Sequence, residues 1–108
     1  AGFMKVQVVY TTAFKDAKLL AEDMARYART YAKPITDFSF QEAFDLLVIG
    51  FEEYPCLKDK ELENFICQLS RQHIRNLALF NLFCFKSKEM EKIIQLCLKQ
   101  DLPLMRET

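Results

Sequence analysis

Four large apolar residues in a row, Leu46-Leu47-Val48-Ile49, entered by Asp45 and followed by Gly50, constrain this chain more than any other feature. A half-exposed strand alternates apolar and polar positions. A run with no polar break reads instead as a strand buried on both faces, the pattern of a parallel sheet. In an open parallel sheet, ligands sit beyond the carboxyl ends of the strands. The stretch from Gly50 to Cys56, which contains Tyr54, is therefore where function is sought.

The flanking segments alternate in kind. Lys5 to Tyr10 reads as a short β-branched first strand. Ala17, Leu20, Ala21, Met24, Ala25, Ala28 and Tyr31 then form a stripe at helical spacing, opposite Lys18, Glu22, Asp23, Arg26 and Arg29. This predicts an amphipathic helix capped by Asp16 and ending near Ala32, because Pro34 disfavours helix at the residue before it. Residues 33–43 admit two readings: a short second strand over Ile35 to Phe40, or a helical turn starting at Ser39-Phe40-Gln41-Glu42, which has capping-box spacing. Leu57 to Arg71 predicts a helix with Leu62, Phe65, Ile66 and Leu69 on one face and Asp59 as its cap. Arg75 to Phe83 reads as another buried strand. Ser87 would cap a last helix with the stripe Met90, Ile93, Ile94 and Cys97. The tail Leu102-Pro103-Leu104-Met105 reads as a short edge strand, where proline is tolerated. Strands alternating with helices imply an α/β fold, a parallel sheet with helices on both faces, in a single domain over residues 1–108.

Fifteen basic and fifteen acidic residues are interspersed, so no electrostatic footprint for nucleic acid is present. No apolar stretch approaches the ~18 residues of a membrane span, and no signal-peptide pattern opens the chain. The expectation is a cytoplasmic protein that binds neither nucleic acid nor membrane, with Met4 as native start and Ala1-Gly2-Phe3 an expression remnant. The four cysteines include no C-x-x-C pair, which argues against zinc and thioredoxin-like chemistry. Cys67 and Cys97 fall on apolar helical stripes and read as core residues. Cys56 and Cys84 follow neighbouring strands and read either as a thiol pair or as two unrelated thiols. His73 is the only histidine, which excludes a triad or a histidine-rich metal site, and it falls at the edge opposite the presumed site. Glu52, Glu53, Asp59, Glu61 and Glu63 read as the solvated rim of a helix.

Three segments together resemble the flavodoxin family: Val6-Gln7-Val8-Val9-Tyr10-Thr11-Thr12, then Asp45-Leu46-Leu47-Val48-Ile49-Gly50-Phe51-Glu52-Glu53-Tyr54, then Leu62 and Phe65-Ile66 followed by Asn76-Leu77-Ala78-Leu79-Phe80-Asn81. The resemblance implies a flavodoxin-like, doubly wound three-layer α/β/α sandwich, truncated at its C-terminal end. It implies non-covalent FMN as cofactor, electron transfer to a redox protein partner, phosphate ligands among Thr11, Thr12 and Lys15, and flavin contacts from Gly50, Tyr54 and Asn81. The chain also departs from the family. In place of a loop of the form S/T-x-T-G-N-T it has Thr11-Thr12-Ala13-Phe14-Lys15-Asp16, without the glycine that lets backbone approach phosphate. In place of G-x-P-x-Y-x-G it has Gly50-Phe51-Glu52-Glu53-Tyr54-Pro55-Cys56. Leu82-Phe83-Cys84-Phe85 lacks the glycine-rich turn that usually follows.

A receiver domain, which shares this strand order, needs aspartates where Gly50 and Thr11-Thr12 stand. A P-loop needs G-x-x-x-x-G-K, which is missing. A sheet face left bare by a missing final helix would expose apolar surface, so a homodimer is expected. Two functions follow from this reading. One is FMN-linked electron transfer with a degenerate phosphate loop and weak or lost flavin binding. The other is a flavin-free dimeric interaction module on the same scaffold. No self-contained catalytic set is visible, which argues against an enzyme.

Overall fold

The computed structural model describes residues 4–12, 15–53, 60–83 and 89–105. The elements are β1 (Val6–Tyr10), α1 (Lys15–Tyr27), β2 (Ala32–Pro34), β3 (Leu46–Glu53), α2 (Lys60–Gln68), β4 (Leu77–Phe83) and α3 (Glu89–Lys99), with a 3₁₀ turn at Ile35–Asp37 after β2. The apolar run is β3, buried continuously from Leu47 to Phe51. Its backbone is paired on both sides, with β1 and with β4. All pairs are parallel, in the order β2-β1-β3-β4. Beyond β4 the tail pairs with its own sheet. Leu104 bridges Leu77 in parallel, with Leu77 N donating to Pro103 O at 2.9 Å and Met105 N donating to Leu77 O at 2.7 Å.

Alternation along the strands divides the interior into two clusters. Val9, Leu47, Ile49, Phe51 and Leu77 pack with Leu62, Phe65 and Ile66 of α2 and Ile93 and Cys97 of α3. Val8 and Val48 pack with Ala21 and Ala25 of α1, joined by Val6, Tyr10, Leu46 and Ala78. Helices thus lie on both faces, α1 on one, α2 and α3 on the other. On the same side of β4, Ala78 packs with the α1 cluster, while Phe80, two residues on, is 39% exposed.

Three local expectations need correction. First, α1 ends at Tyr27, not near Ala32, and Asp16 lies in its first turn instead of capping it. Arg29 takes a left-handed conformation (φ 54°), Arg29 N donates to Arg26 O and Thr30 N to Ala25 O, a Schellman stop made without glycine. The chain freed by that stop becomes β2, three residues ahead of the expected second strand. Gln7 secures it by donating through Nε2 to Tyr31 O at 3.1 Å.

Second, residues 35–45 supply neither a strand nor a helix beyond the 3₁₀ turn. Parallel crossovers usually need a helix. Here the space over this part of the sheet is filled by aromatic rings: Phe38 meets Phe40 edge-on at 5.0 Å and Phe65 edge-on at 5.2 Å, and lies 5.5 Å from Phe44. Such geometry adds to the burial of apolar area. Asp45 then opens β3, accepting from Lys5 N through Oδ2 at 2.8 Å while its own N–H donates to Lys5 O.

Third, Gly50 does not end the strand. It pairs with Tyr10 on one side and Phe80 on the other, and β3 continues to Glu53. Its place is under α1, where a Cβ would lie 3.7 Å from Ala17 O and 3.7 Å from the Ala21 Cβ. Gly50, Ala17 and Ala21 together let the helix sit close to the sheet. A single methyl meets ordinary contact distances, whereas a branched side chain meets α1. Gly50→Ala should therefore shift stability by no more than about 1 kcal/mol, and Gly50→Val should cost about 1–3 kcal/mol through overpacking. Urea denaturation of both variants checks this. A neutral Gly50→Val would show that the close seating of α1 does not require a small residue.

Candidate functional site at the carboxyl edge of the sheet

At the carboxyl edge, β3 and β4 run three rungs past the last pair of β1, from Phe51↔Asn81 to Glu53↔Phe83, and form a ledge beside the loop that leaves β1. Thr11 extends the β1–β3 ladder by one bond, its N–H donating to Gly50 O at 3.1 Å. Its side chain is wholly buried, and Oγ1 has no hydrogen-bond partner. Thr12, exposed, turns out of the ladder toward α2. Its N–H donates to Glu61 Oε1 at 2.9 Å, and its hydroxyl lies 3.1 Å from Oε1 and 2.9 Å from Oε2.

The local physics explains this clasp. In a parallel sheet, the helices that follow β1 and β3 both begin at the carboxyl edge. An acidic residue is favoured in the first turn of a helix, where unpaired N–H groups leave partial positive charge. Glu61 stands in the first turn of α2, and its carboxylate meets the loop leaving β1. A bond from backbone N–H to carboxylate is among the stronger hydrogen bonds.

Of the residues expected in a site, the structure joins Thr11 to Gly50 directly and sets Thr12 next to them. Asn81 lies on the first rung of β4 beyond Gly50's partner Phe80. Lys15 begins α1. The side chains of Lys15 and Asn81 lie outside the described residues, as do Tyr54, Cys56, Cys84 and the expected caps Asp59 and Ser87. Glu61 is the residue that sequence reasoning missed, because it was grouped with the acidic rim. The one signal in the sequence, a place in the first turn of the helix after β3, is shared with Glu63.

His73 lies at the amino edge, where its carbonyl accepts from Phe44 N at 2.7 Å. Among the described residues, no cluster of three or more histidine, cysteine or acidic side chains is placed to hold a metal ion. No helix among them is long and apolar enough to cross a membrane. No protein-family model, curated protein or solved structure matches this chain.

The two described cysteines differ. Cys67 is exposed, contrary to its expected core position, and lines a groove of about 730 Å³ between α2 and α3 with Asn64, Lys92 and Leu96. Cys97 is wholly buried against the sheet, and burial pushes its thiol up from 9.0 to about 11. Because the folded value is the higher one, the unfolded chain loses this proton first as pH rises. The neutral thiol's contribution is thus intact below pH 9 and is lost as pH rises toward 11, by at most about 3 kcal/mol. Urea midpoints measured from pH 8 to 11 should fall more steeply for the wild type than for Cys97→Ala. Parallel slopes would show that the buried thiol does not couple to folding.

Proposed function

We propose that this chain is a flavodoxin-like α/β domain whose phosphate loop has become an internal clasp, so that it binds FMN weakly or not at all and serves as a binding or interaction module. The strand order supports the scaffold: β2-β1-β3-β4, with Leu104 at the fifth position, follows the doubly wound order 2-1-3-4-5. Its ligand crevice would lie between the ends of β1 and β3, where Thr11, Thr12 and Gly50 stand.

The observation that carries the reading is the Thr12–Glu61 clasp. The N–H and hydroxyl that would hold the FMN phosphate already hold a carboxylate. A phosphate dianion about 4 Å from that carboxylate is opposed by on the order of 2 kcal/mol even at the dielectric of water, about thirtyfold in affinity. The residues as arranged do not fit FMN, and no redox step is derived through it. An FMN-linked electron carrier with a redox protein partner is the second reading. The observation favouring it is the same geometry in its other sense: the loop still presents an N–H and a hydroxyl to an anion.

Titration with FMN, followed by flavin fluorescence and visible absorbance, tests this. The expected outcome is no saturable quenching below hundreds of micromolar. Saturable quenching at micromolar concentration, weakened by Tyr54→Ala, would reverse the order of the two readings. As an interaction module the domain would pair two copies around the exposed Phe80 of β4. Light scattering over a concentration series should then give a dimer mass that Phe80→Lys reduces to a monomer. A monomer at all wild-type concentrations would remove the dimer.

A further inference from the structure

We propose that Glu61 is a displaceable internal occupant of an oxyanion site, an autoinhibitory contact that keeps the loop after β1 closed to tetrahedral oxyanions. The inference rests on reading that loop as a converted phosphate loop, and it adds that the conversion is reversible through one side chain. Two independent observations carry it.

The first is the clasp itself. A backbone N–H and a hydroxyl converge on one carboxylate 49 positions away in the chain, and all three contacts are exposed to solvent. The bonds are charge-assisted, but because they face solvent, water and dissolved anions compete with Glu61 for the same donors. An anion from solution can therefore exchange with Glu61 without dismantling the core. Glu61 belongs to neither core cluster, so opening the clasp leaves both clusters in place.

The second is Thr11. Its hydroxyl is buried, at 0% exposure for the residue, and lacks any hydrogen-bond partner, an uncommon condition in a native interior. The alternation that puts Val9 in the cluster under α2 and α3 puts Thr11 on that same side, next to the clasp. A carboxylate is planar and offers two oxygens, both engaged by Thr12. A tetrahedral oxyanion offers further oxygens, one of which would answer the Thr11 hydroxyl. The chemistry shared by the candidate ligands is a phosphate dianion, either free or as a phosphomonoester.

The test uses the full chain with inorganic phosphate as probe, read by isothermal titration and by the shift of the Thr12 amide in ¹H–¹⁵N spectra. Glu61→Ala, shown folded by circular dichroism, should bind phosphate on the order of thirtyfold more tightly than the wild type, since one adjacent negative charge has been removed. The Thr12 amide should be among the most shifted, and adding Thr11→Val to Glu61→Ala should reverse most of the gain. Glu61→Gln keeps an oxygen to accept from the Thr12 N–H, so it decides the matter if Glu61→Ala does not fold. A gain in phosphate affinity supports the proposal; no gain in a folded variant overturns it and leaves Glu61 a structural tie. FMN and riboflavin titrated against the same variant separate the sources. Equal gain with phosphate and FMN, and none with riboflavin, assigns the site to the phosphate group; a gain with FMN that riboflavin reproduces and phosphate does not overturns the oxyanion site. Wild-type FMN binding is scored separately, so failure here leaves the flavin-poor reading standing.

Discussion

Burying β3 on both faces takes five consecutive peptide units, Leu47 to Phe51, away from water, and each N–H and C=O among them needs a partner. Only two flanking strands satisfy that demand, and β1 and β4 provide them in unbroken parallel register. Parallel pairing forces each connection to cross the sheet. The same apolar run that requires flanking strands also requires cover on both faces, so the crossing segments are drawn into service as that cover. The fold follows from one hydrogen-bonding obligation and one burial obligation, imposed by the same residues.

The two faces meet the burial obligation differently. Under α2 and α3 the side chains are large, and four phenylalanines close the space where a crossover helix would otherwise lie. Under α1 they are small: Ala17, Ala21 and Ala25 sit over Val8, Val48 and Gly50. Close seating of α1 fixes where its N-terminus stands. Thr11 is bonded into the ladder, so Thr12 is the first residue able to turn, and it turns toward the start of α2.

Much of this was legible because it is periodic. The uninterrupted run of β3 and the helical stripes of α2 and α3 carry their own evidence in neighbouring residues, and Cys97 was placed in the core on that basis. What was not legible depends on tertiary context. The end of α1 was overrun because Arg29 occupies a left-handed position that usually announces itself by glycine. The segment 35–45 was ambiguous because ring packing, not local propensity, decides its course. Gly50 suggested a strand end, since sequence alone does not distinguish a glycine needed for a turn from one needed for close helix approach. Glu61 was read as surface acid because nothing within its own helix distinguishes it from Glu63. Its partner lies 49 residues earlier, and only the closed sheet brings them together.

On the flavodoxin-like reading proposed above, the departures act in one direction. The absence of a glycine from the loop removes backbone approach, Asp16 adds negative charge in the first turn of α1, and Glu61 occupies the Thr12 donors. A tethered carboxylate competes with an effective concentration in the millimolar range or above. A free phosphate must therefore exceed that concentration or bring contacts that the carboxylate lacks. Inorganic phosphate has one such contact available, the Thr11 hydroxyl. A nucleotide has in addition whatever its ring would gain from the ledge formed by β3 and β4. The balance at this edge is a contest between tethering and contact number, and the buried, unpartnered Thr11 hydroxyl is the one described group on the untethered side of it.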